Sequence, residues 1–200
     1  MCLELDYLRP RHGFSFRERF LESNLENVFP GSYIPAVRRD AVDAIIEQWR
    51  VECPNLEPAP MGVFGRIARL SALAGDEIER VFRRHGLTGA DFDVLATLRR
   101  AGPPYRLTPT TMSRSTMVSS GGMTKRLNRL EARGLVRREP APDDRRSTLV
   151  ALTETGRDLV DATVVEHLEN EERLLAVLPA SDRDTLVELL RGLLLGLERD

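Results

Sequence analysis

Five residues between positions 120 and 128 can form hydrogen bonds outward from a single element: Ser120, Gly121, Thr124, Lys125 and Asn128. They supply hydroxyl, amide and ammonium groups of the size that reaches base edges and phosphates in a major groove. Met123, Leu127 and Leu130 recur at i, i+4 and i+7. The spacing predicts a helix that buries these three and shows the polar set on the opposite side. Glycines at its start would let a phosphate approach the exposed backbone N–H groups. The alternative is an ordinary polar helix face. Arg145 and Arg146 stand at the tip of a candidate hairpin beside Asp143 and Asp144. A guanidinium suits a narrow minor groove, and Asp144 could orient Arg146 by a paired hydrogen bond. The alternative there is a surface ion pair worth about 0–1 kcal/mol.

A second group could do different chemistry. Trp49 is the sole tryptophan, Asp93 interrupts the apolar run FDVLATL, Arg126 lies on the polar helix one position past Lys125, and Arg138 follows on the next strand. Two arginines, a carboxylate and an indole could hold a flat anion by bidentate hydrogen bonds and stacking. Spacing alone favours the plainer reading, in which Asp93 pairs with an arginine structurally and Trp49 belongs to the core.

The elements that must position these residues follow from periodicity and punctuation. Residues 1–40 form either an arm that packs on a partner subunit or a poorly ordered tail. Phe14, Phe16, Phe20, Leu21, Leu25 and Phe29 line one side of a short helix there. Residues 41–60 give an extra N-terminal helix, with Val42, Ile45, Ile46 and Trp49 at helical spacing, and then a connector stiffened by Pro54, Pro58 and Pro60. The main domain is expected over 61–200. A long helix spans about Met61 to His85, and another runs from Thr88 to Arg100. Tyr105 to Leu107 is a candidate short strand, and Thr108 caps a helix that has Pro109 at its first position. Ser119 or Ser120 is expected to cap the polar helix, and Gly134 to close it. Strands at Leu135–Glu139 and Thr148–Leu152 flank the basic turn, completing a winged helix over 88–152. Helices 61–85 and 154–199 are expected to dimerise, the last one capped by Ser181-Asp182. Its leucine stripe is too wide for a helix facing only solvent, so it meets a partner helix or folds back on its own chain. The expected fold is thus mainly α with a small β-wing.

Composition narrows the function classes. Hydrophobic residues at 42% and charged residues at 30% describe a soluble globular chain of 200 residues. The net charge of −2 hides an asymmetry. From Arg99 to Ser147 there are twelve Lys/Arg against four Asp/Glu, so the rest of the chain is strongly acidic. That block suggests contact with a polyanion, double-stranded DNA above all. No signal peptide or apolar span is visible, and a cytoplasmic location with no membrane partner is expected. The three histidines share no metal-ligand spacing, and neither a metal nor another cofactor is expected. No catalytic motif is present, so the chain does not read as an enzyme. Cys53 in a Glu-Cys-Pro setting is the candidate for a competing thiol-based redox regulator, though that setting offers no obvious cation to lower its pKa and no partner thiol except distant Cys2. A winged-helix module used only for protein contacts is a further alternative, which would show no salt-dependent affinity for DNA.

The stretch DDRRS followed by LTETGRDLV, with the helix-turn-helix ahead of it, resembles the MarR family of winged-helix regulators from about Met61 to the C-terminus. The resemblance implies a homodimer on a palindromic operator. Asn128, Thr124 and Lys125 would then read the major groove and Arg146 the minor groove. The positions of Trp49, Asp93, Arg126 and Arg138 are similar to those of the urate-responsive, PecS-like branch. That branch implies a repressor released from DNA when urate, or another small anionic effector, displaces Asp93 and shifts the polar helix.

Overall fold

The computed structural model describes residues 39–116, 122–141 and 148–198. Two compact units divide the chain, the first ending at Arg69 and the second beginning at Leu70.

In the first unit, helix α1 (Ala41–Glu52) opens at Asp40. The Asp40 carboxylate accepts from the N–H groups of Val42 (2.8 Å) and Asp43 (3.0 Å), and Asp43 answers by accepting from the Asp40 N–H (2.9 Å). This reciprocal cap satisfies N–H groups that a helix start leaves open. Arg66, near the start of α2 (Ala59–Arg84), donates to Asp40 at 2.9 Å and to Asp43 at 2.7 Å. The Asp40 N–H, followed by Arg66, holds the Asp43 carboxyl below its ordinary pKa. Val42 and Ile46 are buried against the smooth side of α2. A Cβ on Gly65 would stand 3.1 Å from Val42, and one on Gly62 would stand 3.3 Å from Ile46. The connector is shorter than the sequence suggests. The second helix begins at Ala59, because Pro60 falls in its first turn, where no backbone N–H is needed.

The second unit holds the main core. Helix α3 (Gly89–Arg100) starts at Thr88, whose hydroxyl accepts from the Asp91 N–H, and it buries Val94, Leu95 and Leu98. Then come β1 (Arg106–Leu107), α4 (Pro109–Ser115), α5 (Met123–Ala132), β2 (Val136–Pro140), β3 (Thr148–Leu152), α6 (Glu154–Leu175) and α7 (Ala180–Leu197). The sheet order is β1-β3-β2, all antiparallel. The wing pair runs from Val136 opposite Leu152 to Pro140 opposite Thr148. Phe82, Leu87, Met112, Met123, Leu127, Leu130, Val136, Val150, Leu152 and Val160 join α3 in one apolar cluster.

Thr153 ties this core together. Its hydroxyl accepts from the Gly156 N–H at 3.0 Å and donates to the Gly134 carbonyl at 2.7 Å, so the cap of α6 also fixes the end of α5. Gly156 sits so close to the main chain that a Cβ there would lie 2.0 Å from the Leu135 carbonyl oxygen. The small residue is required by packing.

Expectations for two helix starts also change. The start of α5 is Gly122, in the left-handed region (φ 83°) with no side-chain cap, rather than Ser119 or Ser120. Glycine reaches that conformation without steric cost, and the first N–H groups of the helix take no side-chain cap. Helix α6 stops at Leu175, and α7 follows as a separate helix. Pro179, not Ser181-Asp182, precedes α7, and those two residues lie inside the helix. Among the described residues, the last helix has none that is fully buried.

Candidate nucleic-acid interface

Helix α5 is oriented by its apolar side. Met123, Leu127 and Leu130 are buried, while Thr124, Lys125 and Asn128 are exposed on the opposite side. Three of the five residues of the predicted polar face are thus presented together. Ser120, Gly121, Arg145 and Arg146, and Asp144 with them, lie outside the described residues.

Two arginines that sequence reasoning counted only as charge fasten α5 to the scaffold. Arg129 Nη2 pairs with Oδ1 of Asp91, which is 2% exposed. The other Asp91 oxygen accepts from the Thr88 hydroxyl at 2.8 Å and the Thr88 N–H at 3.2 Å. Burial pushes the Asp91 carboxyl up, but Arg129 and then Thr88 outweigh it and hold it below the ordinary carboxylate value. Arg133 donates to the Gly86 carbonyl at 2.8 Å. The helix is thus pinned to the turn between α2 and α3. The sequence signal was the Thr88–Asp91 capping box, but a box predicts only a local role for its acid.

Much of the basic block is spent internally. Arg99 pairs with Asp161 at 2.7 Å, and Arg137 with Glu139 at 2.6 Å. Arg106 reaches the same Glu139 at 3.6 Å. Arg138 pairs with Glu131 and also donates to Asn128 Oδ1 at 2.6 Å. Among the described residues of that block, Arg100, Arg114, Lys125 and Arg133 are exposed cations in no ion pair. The positive field available to DNA is more localised than the sequence count suggests.

The four residues singled out for an anion are spread over several elements. Trp49 lies on α1 in the first unit, 41% exposed. Asp93, 8% exposed, lines a cleft of about 450 Å³ in the second unit with Phe82, Phe92, Arg99, Val164 and His167. The Phe82 and Phe92 rings stack with centroids 4.4 Å apart, and His167 stands against both. Arg126 and Arg138 are not among the cleft's lining residues. Arg126 is half-buried on α5, and its Nη1 is shielded from solvent without a hydrogen-bond partner. The structure brings Arg138 instead to Asn128. Among the described residues no group of His, Cys, Asp and Glu could hold a metal ion. None of their helices is long and apolar enough to cross a membrane.

A three-stranded wing, a helix-turn-helix and a polar face on the second helix define a winged helix-turn-helix regulator. Comparison with known proteins places it further. The MarR family model matches residues 85–147. The HTH-type transcriptional regulator PecS of Dickeya dadantii is 40% identical over 149 residues, which cover 74% of this chain and 90% of PecS. A solved structure of Bordetella bronchiseptica BpsR, described as showing regulation of its DNA binding by 6-hydroxynicotinic acid, is 27% identical. Its TM-score is 0.60, covering 69% of this chain and 94% of BpsR. Sco3205 of Streptomyces coelicolor, a MarR family regulator solved in complex with DNA, shares the fold at a TM-score of 0.65 and 24% identity. That match covers 72% of this chain and 91% of Sco3205. The chain belongs to the MarR family and is a transcriptional regulator, not an enzyme.

Proposed function

We propose that this chain is a dimeric, sequence-specific repressor that lays α5 in the major groove of a palindromic operator and its wing on the adjacent minor groove. The observation that carries the reading is the two-sided α5, with Met123, Leu127 and Leu130 in the core and Thr124, Lys125 and Asn128 outside. Arg145 and Arg146, which fall between β2 and β3 in the sequence, would meet the minor groove. The leucines of α7 support the dimer, since Leu189, Leu190, Leu194 and Leu197 are all exposed in the single chain.

The effector in this reading is a small flat anion, with urate the first candidate. Support comes from the similarity to PecS, from BpsR and its hydroxylated heteroaromatic acid, and from the unmatched Arg126 nitrogen on α5. A buried guanidinium N–H without an acceptor is costly, and an anion is one way to satisfy it. The aromatic cleft beside Asp93 offers a stacking surface within the same unit as the helix that must move. The test is calorimetric titration of urate into the purified protein and into Arg126→Ala, followed by urate addition to the DNA complex. Saturable binding that the variant loses, together with release of DNA, is the expected result. Absence of heat would remove urate and leave DNA binding untouched.

A further inference from the structure

We infer that Arg138, on the wing strand, is a positioning residue for base reading: it sets which end of the Asn128 amide faces DNA. The inference rests on the reading that α5 docks in the major groove, and it is independent of the effector.

Three bonds join β2 to α5 at this point. The Arg138 N–H donates to Glu131 Oε1 at 3.1 Å, its Nη1 pairs with Glu131 Oε2, and its Nη2 donates to Asn128 Oδ1 at 2.6 Å. Asn128 and Glu131 are three residues apart on α5, so one guanidinium can span both. The backbone of Arg138 is itself held opposite Val150 in the wing ladder. The fork therefore hangs from a sheet and grips a helix, and its position is fixed at both ends.

The chemistry gives the grip a consequence. Arginine has donors and no acceptor, so only the carbonyl end of Asn128 can face it. A free asparagine can turn over and offer either donor or acceptor to a base. Here the acceptor is drawn toward Arg138, and the Nδ2 donors are what Asn128 has to offer. Such a group favours base edges rich in acceptors. In the major groove guanine presents N7 and O6 and thymine presents O4, whereas cytosine presents a donor amine. The base facing Asn128 should therefore be guanine or thymine ahead of adenine, whose N7 acceptor sits beside a donor amine, and cytosine should be rejected by about tenfold or more.

The experiment uses the full-length protein and a duplex it selects from a random-sequence library. Affinity is measured for all four base pairs at each position of one half-site, over a range of salt, for wild type, Asn128→Ala, Arg138→Met and the double variant. Wild type should show one position that excludes cytosine. Asn128→Ala and Arg138→Met should each flatten that position to within about threefold, the double variant should add nothing further, and the salt slope of Arg138→Met should match wild type. Arg138→Lys keeps the charge but not the fork. It guards against misfolding of the Met variant and should lose the same discrimination. If Arg138→Met weakens all sequences equally and lowers the slope by about one unit, the residue is a phosphate contact and the inference is wrong. Intact discrimination in both Arg138 variants would also overturn it. If Asn128→Ala itself leaves every position unchanged, the docking of α5 has failed instead.

Discussion

Arg129 on α5 pairs with Asp91 on α3, 38 residues earlier in the chain, and the carboxylate is almost wholly buried while the guanidinium is half-exposed. The recognition helix is thereby fixed to the scaffold by a bond whose acid cannot turn to solvent. Removing the arginine leaves Asp91 with its hydrogen bonds from Thr88 and no cation beside it. Arg129→Ala should cost roughly 1–3 kcal/mol, because an under-satisfied buried charge is left behind. The folded pKa of Asp91 lies below its ordinary 3.8, so the stabilisation is present above that value and lost as pH falls through the folded one. Urea melts at pH 7 and near pH 3 check this. The gap between wild type and Arg129→Ala should be smaller at the second than at the first.

Gly156 is the tightest packing point among the described glycines. An alanine methyl at this position would stand 2.0 Å from the Leu135 carbonyl oxygen, so Gly156→Ala forces α6 and β2 apart. A loss of roughly 2–4 kcal/mol is expected, seen as a fall in melting temperature, and the wing would loosen with it. An alanine variant as stable as wild type would contradict the packing described.

The first unit has a different dependence. Asp40 caps α1 and receives Arg66, so Asp40→Ala should lose about 1 kcal/mol of local helix stability. Hydrogen exchange at Val42 and Asp43 should quicken, with little change at α3. Equal acceleration across the chain would mean that the cap is not a local device.

The exposed leucines of α7 predict concentration-dependent assembly. Sedimentation equilibrium should give twice the chain mass, and Leu194→Arg, at a site 55% exposed in the single chain, should shift it toward monomer. A wild-type chain that stays monomeric at high micromolar concentration would contradict the dimer.

The local grammar was readable from sequence, and the distant pairing was not. Thr108 was legible as a cap because a hydroxyl before a helical run can serve its first open N–H groups, a relation contained within four residues, and Thr88 and Thr153 cap their helices by the same rule. The buried face of α5 was visible in the period of its apolar residues. The same grammar misplaced two caps. Gly122 begins α5 by backbone freedom, which leaves no polar signature, and Pro179 starts α7 ahead of the more obvious Ser181-Asp182. Asp91 drew no notice and Arg129 was one cation among many, since nothing in either neighbourhood reveals a partner 38 residues away. Resemblance points Arg138 toward an anion, and its contact with Asn128 needed the three-dimensional register of β2 on α5. The constraint on Gly156 also belongs to packing, although the residue sits in the LTETGRDLV stretch that carried the resemblance.

The most direct test of the account is fluorescence anisotropy with a selected duplex and a scrambled one, comparing wild type with Asn128→Ala across a salt series. Wild type should bind the selected duplex far more tightly, by about 10³-fold or more, with affinity falling steeply as salt rises. Asn128→Ala should lose much of that preference while keeping its affinity for the scrambled duplex. Equal binding of both duplexes by wild type, or an Asn128→Ala variant that discriminates as well as wild type, would contradict the claim that α5 reads the operator.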